Sequence, residues 1–222
     1  MTINVNGITL YYEKTGRGEP LILLHGNGED HTIFDVVSKQ LSQKYTVYAI
    51  DSRNHGKSEK TAELHYEDMA DDVTAFIREL QIERPILYGF SDGGIIGLLI
   101  AINHPEMLSK LAISGVNINP NGIVKRWIAI MKFCYFFTRN SRLKLMLTEP
   151  NIKPSDLQKI NTPTYILAGS NDMIYEEHTK LIADNIPHSV LRILQGEKHA
   201  SYVIKSEKLY PILLPFLEAD PK

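Results

Sequence analysis

The residues best able to do chemistry sit in one run, Gly89-Phe90-Ser91-Asp92-Gly93, between an apolar stretch ending at Tyr88 and an apolar helical stretch beginning at Gly94. A serine flanked in this way has the form of a nucleophile elbow, a sharp strand-to-helix turn where a β-carbon at either glycine would strike a neighbouring strand or helix. The turn presents the Ser91 hydroxyl and sets it at a helix N-terminus, whose unpaired N–H groups can stabilise a developing oxyanion. Alone, a five-residue pattern arises by chance too often to carry the argument. A hydroxyl is also a poor nucleophile until a base takes its proton and an acid fixes that base. Both kinds of partner follow in order. Asp172 lies in Gly169-Ser170-Asn171-Asp172 after the apolar run 164–168, and His199 lies in Gly196-Glu197-Lys198-His199 after the run 190–194.

Bringing these side chains together requires strands that end at one edge of a sheet. Runs 3–5 and 9–12 predict a hairpin around Asn6-Gly7, a favoured two-residue turn. Runs 21–24, 45–50, 86–90, 110–114, 164–168 and 190–194 are short and apolar, as strands are when both faces of a sheet are covered. Helices are predicted over 32–42, 66–80, 93–103, 176–185 and 202–217; the second carries Met69, Val73, Phe76, Ile77 and Leu80 at helical spacing. The alternation predicts one α/β domain over 1–222, with a mostly parallel sheet and helices on both faces. From about 116 to 158 the rhythm breaks, with no strand signal, although Trp127 through Phe137 is apolar except for Lys132. This segment reads as a short helical lid. Its apolar helix either packs on the body or on a second subunit, or it lines a pocket over the serine with Trp127, Phe133, Phe136 and Phe137.

With these motifs in place the chain resembles the α/β-hydrolase superfamily, almost from end to end. The order Ser, Asp, His is the order of that family. Further matches are His25-Gly26, the turn Asp51-Ser52-Arg53-Asn54-His55-Gly56-Lys57-Ser58, and Thr162-Pro163 before the strand that leads to Asp172. The resemblance implies an α/β-hydrolase fold and a triad of Ser91, Asp172 and His199, with oxyanion-hole N–H groups from Asn27 and Asp92. Family members that carry the acid after the sixth strand do not match here, because Ser114-Gly115-Val116-Asn117 offers no carboxylate. Asn54 stands where the family's turn usually has glycine, and asparagine is among the few other residues that tolerate a left-handed backbone. The chain is also short for the family, with the shortfall in the lid. The run Gly89 to Gly94 is similar to that of valacyclovir-hydrolase-like enzymes, which act on amino-acid esters. On that similarity the Asp92 carboxylate either pairs with a substrate ammonium or simply favours its helix dipole.

Of the eight histidines, His25 and His55 fall in turns that the resemblance marks as structural. His31, His65, His104, His178 and His188 fall on predicted helices or surface loops. No pair has H-E-x-x-H spacing, so no metal is expected. No cofactor is expected either: Gly56-Lys57-Ser58 lacks the first glycine of a phosphate-binding loop, and Gly16-Arg17-Gly18 lacks the third glycine of a dinucleotide fingerprint. The net charge of -2 and the absence of long like-charge runs point to a small-molecule substrate rather than nucleic acid or membrane. The single cysteine, Cys134, and an N-terminus without a basic-then-apolar pattern lead to a cytoplasmic expectation. The sequence is silent on oligomeric state. The expected activity is hydrolysis of a small ester, thioester or amide through an acyl-enzyme. Carbon-carbon bond hydrolysis, acyl transfer with the same triad, and a non-catalytic ligand sensor are the alternatives. Serine at position 91 argues against the family's aspartate-dependent dehalogenases and epoxide hydrolases.

Overall fold

The computed structural model describes residues 1–219. Its strands are β1 (Thr2–Val5), β2 (Ile8–Gly16), β3 (Glu19–Leu24), β4 (Tyr45–Ile50), β5 (Ile86–Phe90), β6 (Lys110–Ser114), β7 (Thr164–Asn171) and β8 (Ser189–Lys198). They form one sheet in the order β1-β2-β4-β3-β5-β6-β7-β8. The β1-β2 and β2-β4 pairs are antiparallel and the others parallel. The helices are α1 (Asp35–Leu41), α2 (Tyr66–Glu79), α3 (Asp92–Asn103), α4 (Lys125–Thr138), α5 (Ser141–Thr148), α6 (Pro154–Leu157), α7 (Glu176–Asn185) and α8 (Leu209–Leu217).

Both faces of the sheet are covered, and the two-residue period of the strands divides the core. Ile22, Leu24, Leu87 and Ile113 pack with α2 and α3 on one side. Leu21, Leu23, Tyr88 and Ala112 pack with α1 and α8 on the other. Near-continuous apolar strands are what such two-sided burial demands. Among the described residues, no helix is long and apolar enough to cross a membrane.

The observed elements differ from the sequence expectation where polar residues take part in regular structure. The 32–42 helix opens as a 3₁₀ turn, His31–Phe34, capped by the Asp30 side chain on Thr32 N–H. The last helix begins at Leu209 rather than at 202, because the chain turns at Lys205, whose φ is +48° and whose N–H bonds to Ile33 O. Strands β7 and β8 run past 168 and 194, through a register shift at Gly169, until Asn171 pairs with Lys198. The following residues, Asp172 and His199, therefore leave the sheet side by side.

Close packing fixes the opposite partner. A β-carbon at Gly93 would lie 2.2 Å from Leu24 O, and one at Gly89 would lie 2.2 Å from Gly93 O. Helix α3 thus rests on β3 and β5 at backbone distance. At Gly97, one turn further, a β-carbon would meet only side-chain ends, Leu111 Cδ1 at 2.9 Å and Leu87 Cδ2 at 3.0 Å. Gly93→Ala should therefore cost about 3 kcal/mol or prevent folding, while Gly97→Ala costs about 1 kcal/mol. Urea unfolding of the two variants measures the difference; equal losses would mean that the backbone contact does not set the helix position.

Candidate active site

Ser91 caps α3 at the end of β5 with φ +51° and ψ -115°, a conformation that costs of order 1–3 kcal/mol for a residue with a β-carbon. The surroundings hold it there: Ser91 N–H donates to Ser114 O at 2.8 Å, and Ser91 O accepts from Gly94 and Ile95 N–H. Its hydroxyl lies 3.1 Å from His199 Nε2. On the far side of the ring, His199 Nδ1 lies 2.6 Å from Asp172 Oδ1. Facing a carboxylate, Nδ1 carries the proton, which leaves Nε2 as the acceptor for the serine hydroxyl. The Asp172 side chain is 2% exposed. It is held by Ile174 N–H on Oδ1 at 3.0 Å and by Gly169 N–H on Oδ2 at 3.4 Å. The sequence-predicted Ser91, Asp172 and His199 thus form one hydrogen-bonded line.

The His-Gly loop after β3 lies beside this line. His25 accepts Ser52 N–H on Nε2 at 3.0 Å, so its Nδ1 carries the proton and donates to Gly26 O at 2.8 Å. Burial, helped by nearby His55, holds His25 down at about 4, so it is a neutral strut between the loop and the turn after β4. In that turn Asn54 has φ +64° and its side chain bonds Thr61, so the asparagine is accommodated as expected. Asn27 Nδ2 donates to Asp92 Oδ2 at 2.9 Å, and Tyr66 OH donates to Asp92 Oδ1 at 2.8 Å. Asp92 is 2% exposed, and burial raises its pKa, with the Asn27 and Tyr66 donors opposing. Its side chain thus joins the turn at Ser91 to the loop after β3. Among the described residues neither Asn27 N–H nor Asp92 N–H has an acceptor, so both are free for a ligand oxygen.

The aromatic expectation is corrected. Phe133, Phe136 and Phe137 on α4 are 67, 65 and 67% exposed, and Trp127 is 38% exposed. They stand open to solvent instead of enclosing a pocket over Ser91, because α4 turns Ile128 and Met131 inward towards Ile123 and Ile174. Two contributors were not anticipated. Gly115, with φ +62°, leaves room for His199, whose Cε1 would lie 2.7 Å from a β-carbon there. Glu29 sits inside the loop, its Oε2 accepting Gly26 N–H at 3.0 Å; a β-carbon at Gly26 would touch both this oxygen and Ser91 Cβ. Its only sequence signal is an acid close behind His-Gly.

The donor atoms of Asp30, His31 and Asp51 come within 4.8 Å of one another. Protein donors already occupy them: Asp51 Oδ1 accepts His31 N–H and faces His31 Nδ1, and Asp30 Oδ1 takes Thr32 N–H and hydroxyl. The cluster shapes a turn.

Burial pushes Glu29 up from 4.5 to about 7, against the Gly26 N–H and the neighbouring His199, which favour its charged form; Asp92 and Asp30 add to the rise. Between those values the folded protein binds more protons than the unfolded one, so stability falls as pH rises through this window and levels above it. Glu29→Gln keeps an acceptor for Gly26 and cannot ionise. Its melting temperature should match wild type near about pH 4.5 and exceed it increasingly towards about pH 8. A constant offset between the two melting curves across that range would show that Glu29 is not held protonated by the fold.

The α/β hydrolase fold family model matches residues 19–130. The chain is 38% identical over 99 residues to AB hydrolase superfamily protein YisY of Bacillus subtilis, covering 44% of this chain and 37% of that protein. It is 27% identical over 251 residues to serine hydrolase BPHL of Homo sapiens, covering 97% of this chain and 85% of that protein. The first three curated relatives are matched over only 32 to 37% of their own length. An esterase from Exiguobacterium antarcticum superposes with a TM-score of 0.86 at 23% identity, covering 97% of both chains. The family match, together with the eight-stranded sheet and its helices, means that the chain belongs to the α/β-hydrolase fold family.

Proposed function

We propose that the protein is a serine hydrolase that cleaves a small carboxylic ester, or a related thioester or amide, through an acyl-enzyme. The observation that carries this reading is the bond sequence Ser91 Oγ to His199 Nε2 at 3.1 Å and His199 Nδ1 to Asp172 Oδ1 at 2.6 Å. Ser91 Oγ attacks the acyl carbon while its proton passes to His199 Nε2. Asp172 fixes the ring and stabilises the imidazolium that forms. The carbonyl oxygen takes up the electron pair and is held by Asn27 and Asp92 N–H, each such donor contributing about 10²–10³ in rate. Collapse expels the alcohol, to which His199 returns the proton. Water then repeats the sequence and releases the acid.

The Asp92 carboxylate serves in this reading as the brace of the oxyanion hole. Its two oxygens are bonded to Asn27 and Tyr66, so the residues that supply the two N–H donors are also tied through their side chains. A substrate ammonium would need a further bond to a carboxylate already enclosed by the protein.

Ser91→Ala and His199→Ala should each lower kcat by at least about 10⁴-fold, and Asp172→Asn by about 10³–10⁴-fold with KM little changed. Because the three act as a unit, the Ser91→Ala/His199→Ala double variant should be no worse than either single one. Steady-state kinetics on p-nitrophenyl acetate, together with labelling by a fluorophosphonate, checks this. Folded wild type that takes no label on Ser91 at neutral pH would be a binding protein instead.

The brace is tested by Asp92→Asn with an α-amino ester and its des-amino analogue. If Asp92 is a brace, the substitution lowers kcat/KM for both by one common factor, about tenfold or more per misplaced donor. A loss confined to the amino ester would assign the carboxylate to substrate recognition.

A further inference from the structure

The proposed chemistry leaves the outward face of α4 unused. Helix α4 is apolar on two opposite sides. Its inner stripe, Ile128, Met131 and Tyr135, faces the body, where Ile128 and Met131 pack with Ile123, Ile174 and Met146. Its outer stripe, Ile130, Phe133 and Phe137, follows the three-and-four spacing of one helix face and is 50, 67 and 67% exposed. Phe137 stacks edge-on with Phe133 and Phe136 at centroid distances of 5.0 and 5.1 Å, so the rings form one cluster. Apolar surface of this kind, left contiguous and open to water, marks an interaction site.

Charge identifies the partner. Helix α4 and its cap, residues 125 to 139, carry four cations, Lys125, Arg126, Lys132 and Arg139, and no acid. Arg139 lies 5.7 Å from the Phe136 ring and so borders the aromatic cluster, while Arg126, 5.6 Å from the Trp127 ring, stands one turn before Ile130 on the same stripe. An aromatic face rimmed by lysine and arginine is the composition of a helix that lies in a membrane interface. A symmetric contact with a second copy would set this cationic face against itself. The whole-chain charge of -2, on which the expectation of no membrane partner rests, averages this local excess away.

We propose that the outer face of α4 docks on an anionic lipid bilayer, with Ile130, Phe133 and Phe137 entering the acyl boundary and the cations at headgroup level. The docked helix would lie next to the site. Val124 N–H bonds Met173 O at 2.9 Å beside Asp172, and Asn27 Nδ2 reaches Arg142 O at 3.3 Å. The surface works independently of the hydrolase reading, so Ser91→Ala should bind as wild type does.

The test is co-sedimentation with vesicles of phosphatidylcholine alone and of phosphatidylcholine with about 30% phosphatidylserine. Wild type should partition onto the anionic vesicles, less onto the neutral ones, and less onto either as salt is raised. Arg126→Glu/Arg139→Glu should weaken partitioning at least about tenfold while soluble-ester hydrolysis is unchanged. Ile130→Ser/Phe137→Ser should abolish it with the melting temperature retained. Wild type that stays in the supernatant at low salt, or variants that partition as wild type does, would overturn the proposal. A dimer seen by sedimentation velocity, dissolved by Ile130→Ser/Phe137→Ser and excluding vesicles, would assign the face to a second copy.

Discussion

The site depends first on the approach of α3 to the sheet. Gly93 lets the helix N-terminus meet Leu24 at backbone distance, and Gly89 lets it meet the end of its own strand. With those contacts made, the chain can pass from β5 into α3 only through a residue at positive φ, and that residue is Ser91. The strain is offset by burial: Asp92 through Ala101 is buried without interruption, so nearly every side of the helix contributes apolar contact. A helix held on all sides cannot rotate to relax its first residue. The exposed hydroxyl is therefore a consequence of core packing, and the same packing leaves the first N–H of α3 pointing outward.

The electrostatics around the serine follow from where its neighbours are buried. Two carboxylates, Glu29 and Asp92, lie near the N–H groups on which negative charge would develop, and burial raises both. Each is countered by donors, Gly26 N–H for Glu29 and Asn27 with Tyr66 for Asp92. The outcome is a compromise between two demands. The donors hold the loop and the elbow in register, while burial that raises Glu29 to about 7 reduces its standing negative charge beside Ser91. A carboxylate fully exposed at either place would stay ionised and oppose that charge without bracing anything.

Much of this was legible in the sequence because short motifs carry it. Gly-x-Ser-x-Gly, His-Gly and the Asp51 to Ser58 turn can be read from residue type and spacing, although Gly93 answers to Leu24 and His25 to Ser52, both distant in the chain. The strands were recognisable because burial on both faces makes them apolar throughout. Legibility failed where tertiary contact overrides composition. Polar Gly169 to Asn171 and Gln195 to Lys198 continue β7 and β8 only because each has the other to pair with. Residues 202–208 have helical composition, yet Lys205 is drawn to Ile33 O by a contact far away in the chain. Glu29 was missed for the same reason: its importance lies in Gly26 and Ser91 being folded around it.

The lid shows how an apolar pattern can be recognised and its direction still be wrong. Hydrophobicity alone says that a helix will leave water, and leaves the body, a second subunit and a pocket over the serine as places to go. For α4 the interior takes up one stripe, and the anchor is short: Ile123 bridges Ile174, directly behind Asp172 and Met173. With that face engaged, Phe133 and Phe137 are turned away from the body by helix geometry and cannot be recovered by any rotation that keeps Met131 buried. The hydrated heads of Arg126 and Arg139 lie among these exposed rings, and on the docking proposal they would select an anionic surface. One helix thus links a surface feature to the loop that carries Asp172, through a single layer of side chains.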